Sequence, residues 1–109
     1  MASSKDYIEF VLEQCKGLSA RLMMGEYILY YGGKVVGGVY DNRLLVKPTR
    51  AANELIPDAE YQLPYDGAKE MLLVKNIDNK DLLNTLFESM YKELPEPKKK
   101  KQATSVTLK

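Results

Sequence analysis

A pair of adjacent glycines sets the tightest limit on what this chain can fold into. Tyr27-Ile28-Leu29-Tyr30-Tyr31 is rich in aromatic and β-branched side chains, runs directly into Gly32-Gly33, and is followed by a second extended run from Lys34 to Tyr40. Two residues that both accept positive φ, placed between two strand-like runs, specify a two-residue hairpin, because primed turns match the twist of the flanking strands. Asp41-Asn42 supplies a second tight turn, and Arg43-Leu44-Leu45-Val46-Lys47 a third strand. The expected centre is a three-stranded antiparallel meander.

Inside that meander, Gly37-Gly38 occupies strand positions where glycine packs nothing and loses the most backbone entropy on folding. Close approach of a helix, or a bulge that twists the sheet, accounts for the pair; a shallow floor for a ligand is the functional alternative.

Helical spacing marks both ends of the chain. Tyr7, Ile8, Val11, Leu12 and Cys15 form one stripe behind a capping Ser3 or Ser4, and Gly17 is suited to end the helix in the left-handed conformation. Leu82, Leu83, Leu86, Phe87, Met90, Tyr91 and Leu94 form a second stripe, with Asp78 as the expected cap and Pro95 as the stop. Between them, Pro48-Thr49 opens a short helix to Leu55, Tyr61 to Pro64 reads as an edge piece, and Met71 to Val74 reads as a strand covered on both faces. Two single-stripe helices and one antiparallel sheet predict a two-layer α+β fold: the meander plus one or two further strands, packed against N- and C-terminal helices.

The expected domain is residues 1–95, and the expected basic, disordered tail is 96–109. Residues 1–94 carry 11 Lys/Arg against 14 Asp/Glu, a balance of −3, while residues 95–109 carry five against one, a balance of +4. The tail run Lys98-Lys99-Lys100-Lys101 repels itself and has no apolar face. It is the candidate nucleic-acid contact, and four phosphate contacts would give weak, sequence-independent binding with a log–log salt slope of about −3 to −4.

Composition removes several chemistries. The chain has no histidine, no tryptophan and a single cysteine, so His-based triads and His or Cys metal sites have no ligands, and Asp78-Asn79-Lys80-Asp81 lacks calcium-loop spacing. No glycine pair leads into the Lys-Ser/Thr of a phosphate loop. Neither a metal nor a cofactor is expected. An enzyme using Lys69, Glu70 and Tyr65 is the weakest of the readings, since only sequence proximity joins them. Cys15 continues a core stripe. The N-terminus lacks signal-peptide order and no apolar run nears the roughly 20 residues that span a bilayer, so a cytoplasmic location without membrane association is expected.

The stretch Arg21-Leu22-Met23-Met24-Gly25-Glu26-Tyr27-Ile28-Leu29-Tyr30, followed by Gly33-Lys34 and Asp41-Asn42-Arg43-Leu44-Leu45-Val46-Lys47, resembles the TfoX N-terminal domain family, and Leu63 to Met71 resembles its small stand-alone members. The similarity covers roughly Leu18 to Pro95. Met24 and Glu26 stand where many members have Phe and a second Gly. The family's bacterial competence regulators add a C-terminal helical domain, for which the 15 residues after Leu94 are too few.

The resemblance implies an α+β fold with a distant link to transcription; together with a sheet rich in tyrosine and poor in catalytic groups, it gives the expectation of a non-enzymatic regulatory or adaptor role exercised through protein contact. The partner is another protein or a second copy of the chain. Tyr27 and Tyr31 alternate with Tyr30 across the sheet, and exposed tyrosines anchor partners well. Together with Tyr40, Tyr65 and the motif residues Met24 and Gly25, they are the candidate partner-binding set.

Overall fold

A computed structural model describes residues 3–95. Lys98 to Lys101 and the rest of the expected 96–109 tail lie outside the described residues. The element order is α1 (Lys5–Glu13), β1 (Leu18–Met23), β2 (Glu26–Tyr31), β3 (Lys34–Val39), β4 (Leu44–Val46), α2 (Arg50–Leu55), β5 (Tyr61–Gln62), β6 (Met71–Val74) and α3 (Lys80–Glu93). The strands form one six-stranded sheet in the order β1-β2-β3-β4-β6-β5, and every neighbouring pair is antiparallel. The α+β class and its flanking helices are therefore as expected, with β1 as one strand beyond the expected count.

Three two-residue turns build the first four strands. Gly32 and Gly33 sit at φ 60° and 85°, Asp41 and Asn42 at 53° and 57°, and Met24 and Gly25 at 53° and 85°. Each turn has positive φ at both central positions, as a primed hairpin with a type I′ backbone requires. The first two are the turns the sequence predicts. The third adds β1, whose residues pair with β2 from Leu18↔Tyr31 to Met23↔Glu26.

Gly37 and Gly38 mark a bulge. Leu29 pairs with Gly37 but Tyr30 pairs with Val35, so Val36 is an extra residue on β3. A side chain on Gly37 would run into the backbone of Leu45 and Val46 on β4, and one on Gly38 would meet Tyr27 O and the Tyr40 ring, each at 2.6 Å. The closest approach comes from neighbouring strands and a tyrosine.

Alternation from the paired registers puts Leu29, Val39, Leu44, Val46, Leu72 and Val74 on one face, and the bulged Val36 joins them in the core. That face meets Ile8, Val11 and Cys15 from α1 and its following turn, Ala52 from α2, and Leu83, Leu86, Phe87 and Met90 from α3. The helices lie on this face alone. Met71 and Leu73 point to the other side and are half-buried, which corrects the expectation of a strand covered on both faces.

The helix ends are tied to the sheet and to one another. Ser4 caps α1 by accepting from Tyr7 N–H; α1 closes at Gln14, and Gly17 lies beyond it without positive φ, contrary to its expected role. Asn79, one residue after the expected Asp78, caps α3 by accepting from Leu82 N–H. A side-chain oxygen must reach the N2 or N3 amide from the residue just outside the first turn, which Asn79 does. At the far end, Lys34 Nζ donates to the Tyr91 and Leu94 carbonyls at 3.0 and 2.9 Å and lies 4.2 Å from the Tyr91 ring centroid. This places a cation where the helix dipole and the unmatched carbonyls favour one.

Glu93, in the last turn of α3, serves α2. Its carboxylate accepts from Arg50 N–H at 2.8 Å and Ala51 N–H at 3.0 Å, while Thr49 Oγ1 accepts from Ala52 N–H. The Ala51 and Arg50 amides hold the Glu93 carboxyl below its usual pKa. A depressed folded-state pKa contributes stability that is present above the unfolded glutamate value, about 4.3, and is lost as pH falls through the folded one. In thermal melts from pH 6 to pH 3, the melting temperature of Glu93→Gln is expected to fall less steeply than that of the wild type, and to lie below it at pH 6.

Candidate functional site

The structure divides the candidate tyrosines between the two faces of the sheet. Tyr27 and Tyr31 lie on the helix face, both partly buried against the core, with the Tyr31 ring 6.1 Å from Phe87 and 6.0 Å from Tyr91. Tyr30 lies on the opposite face and is half-buried. Tyr40 is only 8% exposed, covers Gly38, and meets Tyr65 at a ring distance of 6.1 Å. Burial, and then Tyr65 and Glu26, push the Tyr40 hydroxyl pKa up. Tyr65 itself is exposed, on the loop 63–70 that also carries Lys69 and Glu70. That loop is held by Arg43, whose guanidinium donates to Gln62 Oε1, Leu63 O and Pro64 O.

Met24 and Gly25 form the turn that ends the β1–β2 hairpin, where Leu22 pairs with Tyr27. Met24 is 97% exposed, and its neighbours Leu22 and Met23 are 63% and 52% exposed. Three consecutive exposed apolar residues are unusual on a soluble surface and mark an interaction site more often than single ones do. Sequence reasoning missed Leu22 and Met23. Alternation from Leu18 through Ser19, Ala20 and Arg21 to Leu22, with Gly25 close behind, was the available signal for the strand, and nothing in the sequence signalled the exposure of its end.

The hairpin end is braced from below. Ser3 N–H donates to Gly25 O, and Ser3 Oγ donates to Glu26 Oε1 at 2.7 Å. The same carboxylate accepts from Asp41 N–H, Asn42 N–H donates to Ser3 Oγ, and Ser4 N–H donates to Asn42 Oδ1. The turn at Met24-Gly25 is thereby fastened to the turn at Asp41-Asn42. Its apolar side chains are presented on a fixed backbone, which lowers the ordering cost of any contact they make.

Met24 also holds a conformation that suits it badly. A bulky residue at φ 53° is uncommon, and the left-handed region costs an L-residue roughly 1–2 kcal/mol. Asparagine is favoured at this first position of a type I′ turn. Met24→Asn is therefore expected to stabilise the fold by about 1 kcal/mol, read as a shift in the urea midpoint at unchanged slope.

Other concave and reactive features are modest. A groove of about 300 Å³ opens among Leu55, Ile56, Ala59, Val74, Asn76 and Leu82; Asp58 and Lys75 are the ionisable residues in its lining, and no candidate residue borders it. Cys15 is buried, and burial first of all pushes its thiol pKa up, the reverse of an activated thiolate. Among the described residues, no three His, Cys, Asp or Glu side chains gather to hold a metal, and no helix is long and apolar enough to cross a membrane.

The chain is 37% identical over 108 residues to the uncharacterized 12.7 kDa protein in the trpE 5′ region of Spirochaeta aurantia, over 95% of this chain and 94% of that one. The two belong to one family. The match covers nearly the whole length of both chains. No family model matches the sequence, and no solved structure matches it.

Proposed function

We propose that this chain is a non-enzymatic regulatory or adaptor domain of the bacterial cytoplasm that acts by protein–protein contact, akin in role to the TfoX N-terminal domains it resembles. The observation that carries the reading is the braced hairpin end, where Leu22, Met23 and Met24 stand exposed and Met24 is held at positive φ. Strain retained at an exposed apolar residue is typical of contact sites. Tyr30, half-buried on the face without helices, and the exposed Tyr65 are further candidate contacts.

Size-exclusion chromatography with light scattering, joined to affinity capture, tests this. The chain is expected to elute with a partner or as a homodimer. The association should be lost in Leu22→Asp and kept in Leu63→Asp, a change at an exposed apolar residue near the opposite edge of the sheet. A strict monomer that retains nothing overturns the reading.

The charge division supports a second reading, a weak nucleic-acid-associated regulator working through Lys98 to Lys101. Truncation after Pro95 should then abolish binding to duplex DNA, whereas unchanged binding would move the contact to the body.

A further inference from the structure

The two edges of the sheet are built differently. β5, at one edge, is two residues long, is followed by Pro64, and has the Leu63 and Pro64 carbonyls engaged by Arg43. Short strands and prolines are standard protections for an edge. β1, at the other edge, is six residues long and contains no proline and no lysine. Among the described residues, no strand pairs with its outer side.

The hairpin register fixes which groups face outward. Residues flanking a two-residue turn form a hydrogen-bonded pair, so Met23, Arg21 and Ser19 direct their amides and carbonyls to β2. Ala20 and Leu22 direct theirs to the open edge. On the helix face the edge presents Ala20 and Leu22, and on the other face Ser19, Arg21 and Met23. Charge along this stretch is of one sign. Between Glu13 and Glu26 the chain carries Lys16 and Arg21 and no acidic residue, although residues 1–94 are net acidic.

We infer that β1 is a docking edge for an extended segment of a partner protein, one that alternates apolar and acidic side chains and adds as a seventh, antiparallel strand. Main-chain hydrogen bonds to Ala20 and Leu22 supply the pairing, Leu22 receives an apolar side chain, and Arg21 faces a carboxylate across the strands. A second copy's β1 carries no acidic side chain to meet Lys16 and Arg21, which disfavours it as occupant. The inference rests on the proposed role in protein contact and specifies the site and the partner's chemistry.

The test uses the full chain and two capped, fluorescein-labelled nine-residue peptides, one alternating valine with glutamate and the other valine with lysine. The glutamate peptide is expected to bind at least tenfold more tightly at low salt. Binding should slow amide exchange at Ala20 and Leu22 at least tenfold. Arg21→Glu should reverse the peptide preference, and N-methylation of alternate peptide amides should abolish binding.

Equal binding of both peptides, no binding at millimolar concentration, or protection elsewhere than β1 overturns the inference. So does concentration-dependent protection of Ala20 and Leu22 in the free chain, which would identify a second copy at the edge. A protein partner captured equally by wild type and Arg21→Glu would overturn the docking edge and leave the proposed function standing.

Discussion

Phe87→Ala is expected to destabilise the fold by about 3–5 kcal/mol, a large share of the roughly 5–15 kcal/mol available to a domain of this size. Phe87 has no exposed surface and is the largest fully buried side chain among the described residues. It lies in the stripe of α3 that faces the sheet, beside Leu83, Leu86 and Met90, with the Tyr31 ring packed near-parallel at an interplanar angle of 24°. Truncation removes the contacts of a whole ring and leaves a cavity that α3 cannot fill, because Lys34 and Glu93 pin its last turn to β3 and α2. A fall in melting temperature of about 15 °C or more is the expected reading. Phe87→Leu, which keeps most of the volume, should cost about 1 kcal/mol. If alanine and leucine prove equally mild, α3 does not pack as described.

Gly37→Ala is the second large effect, expected at about 3 kcal/mol, the upper end of the usual range for overpacking. The added methyl would lie 2.8 Å from Val46 Cα, against backbone that cannot rotate aside. β3 and β4 would have to part, or the bulge at Val36 would have to move, and Lys47 N–H would then lose its bond to Val36 O. Gly33→Ala supplies the comparison. A side chain there meets nothing within 4 Å, but φ is 85°, so only the conformational cost of about 1 kcal/mol applies. Urea denaturation of the two variants separates steric from conformational cost. Equal losses would mean that the Gly37 site opens without resistance.

Local chemistry explains why much of the fold was readable from the chain. Gly32-Gly33 and Asp41-Asn42 declared two turns because their residue types accept positive φ with little penalty. The stripes at Ile8 and Val11 and at Leu83, Leu86, Phe87 and Met90 declared two helices by spacing alone. The strand Leu18–Met23 was harder to see, since it contains no β-branched or aromatic residue and its turn is started by a methionine. It forms because β2, the next strand along, offers a pairing edge and because Ser3, far away in sequence, fastens the turn at Gly25. The cap of α3 moved from Asp78 to Asn79 for a similar reason: both residue types cap well, and only the backbone path selects between them.

The candidate site shows the same limit. Tyr27 and Tyr31 were separable from Tyr30 by alternation, yet the sequence could not say which face the helices would cover. Once α3 lies against Tyr31, Tyr30 is left on the other face, and Tyr40 is taken up in covering Gly38. Leu22 and Met23 are apolar in sequence and looked no different from core residues until the sheet ended at β1.

Most of the elements and their alternation were legible in the chain, because turn chemistry and side-chain period act over a few residues. Which apolar groups stay in water was settled by packing. Exposure depends on what packs from elsewhere in the chain, and no helix or strand among the described residues arrives to cover the outer edge of β1.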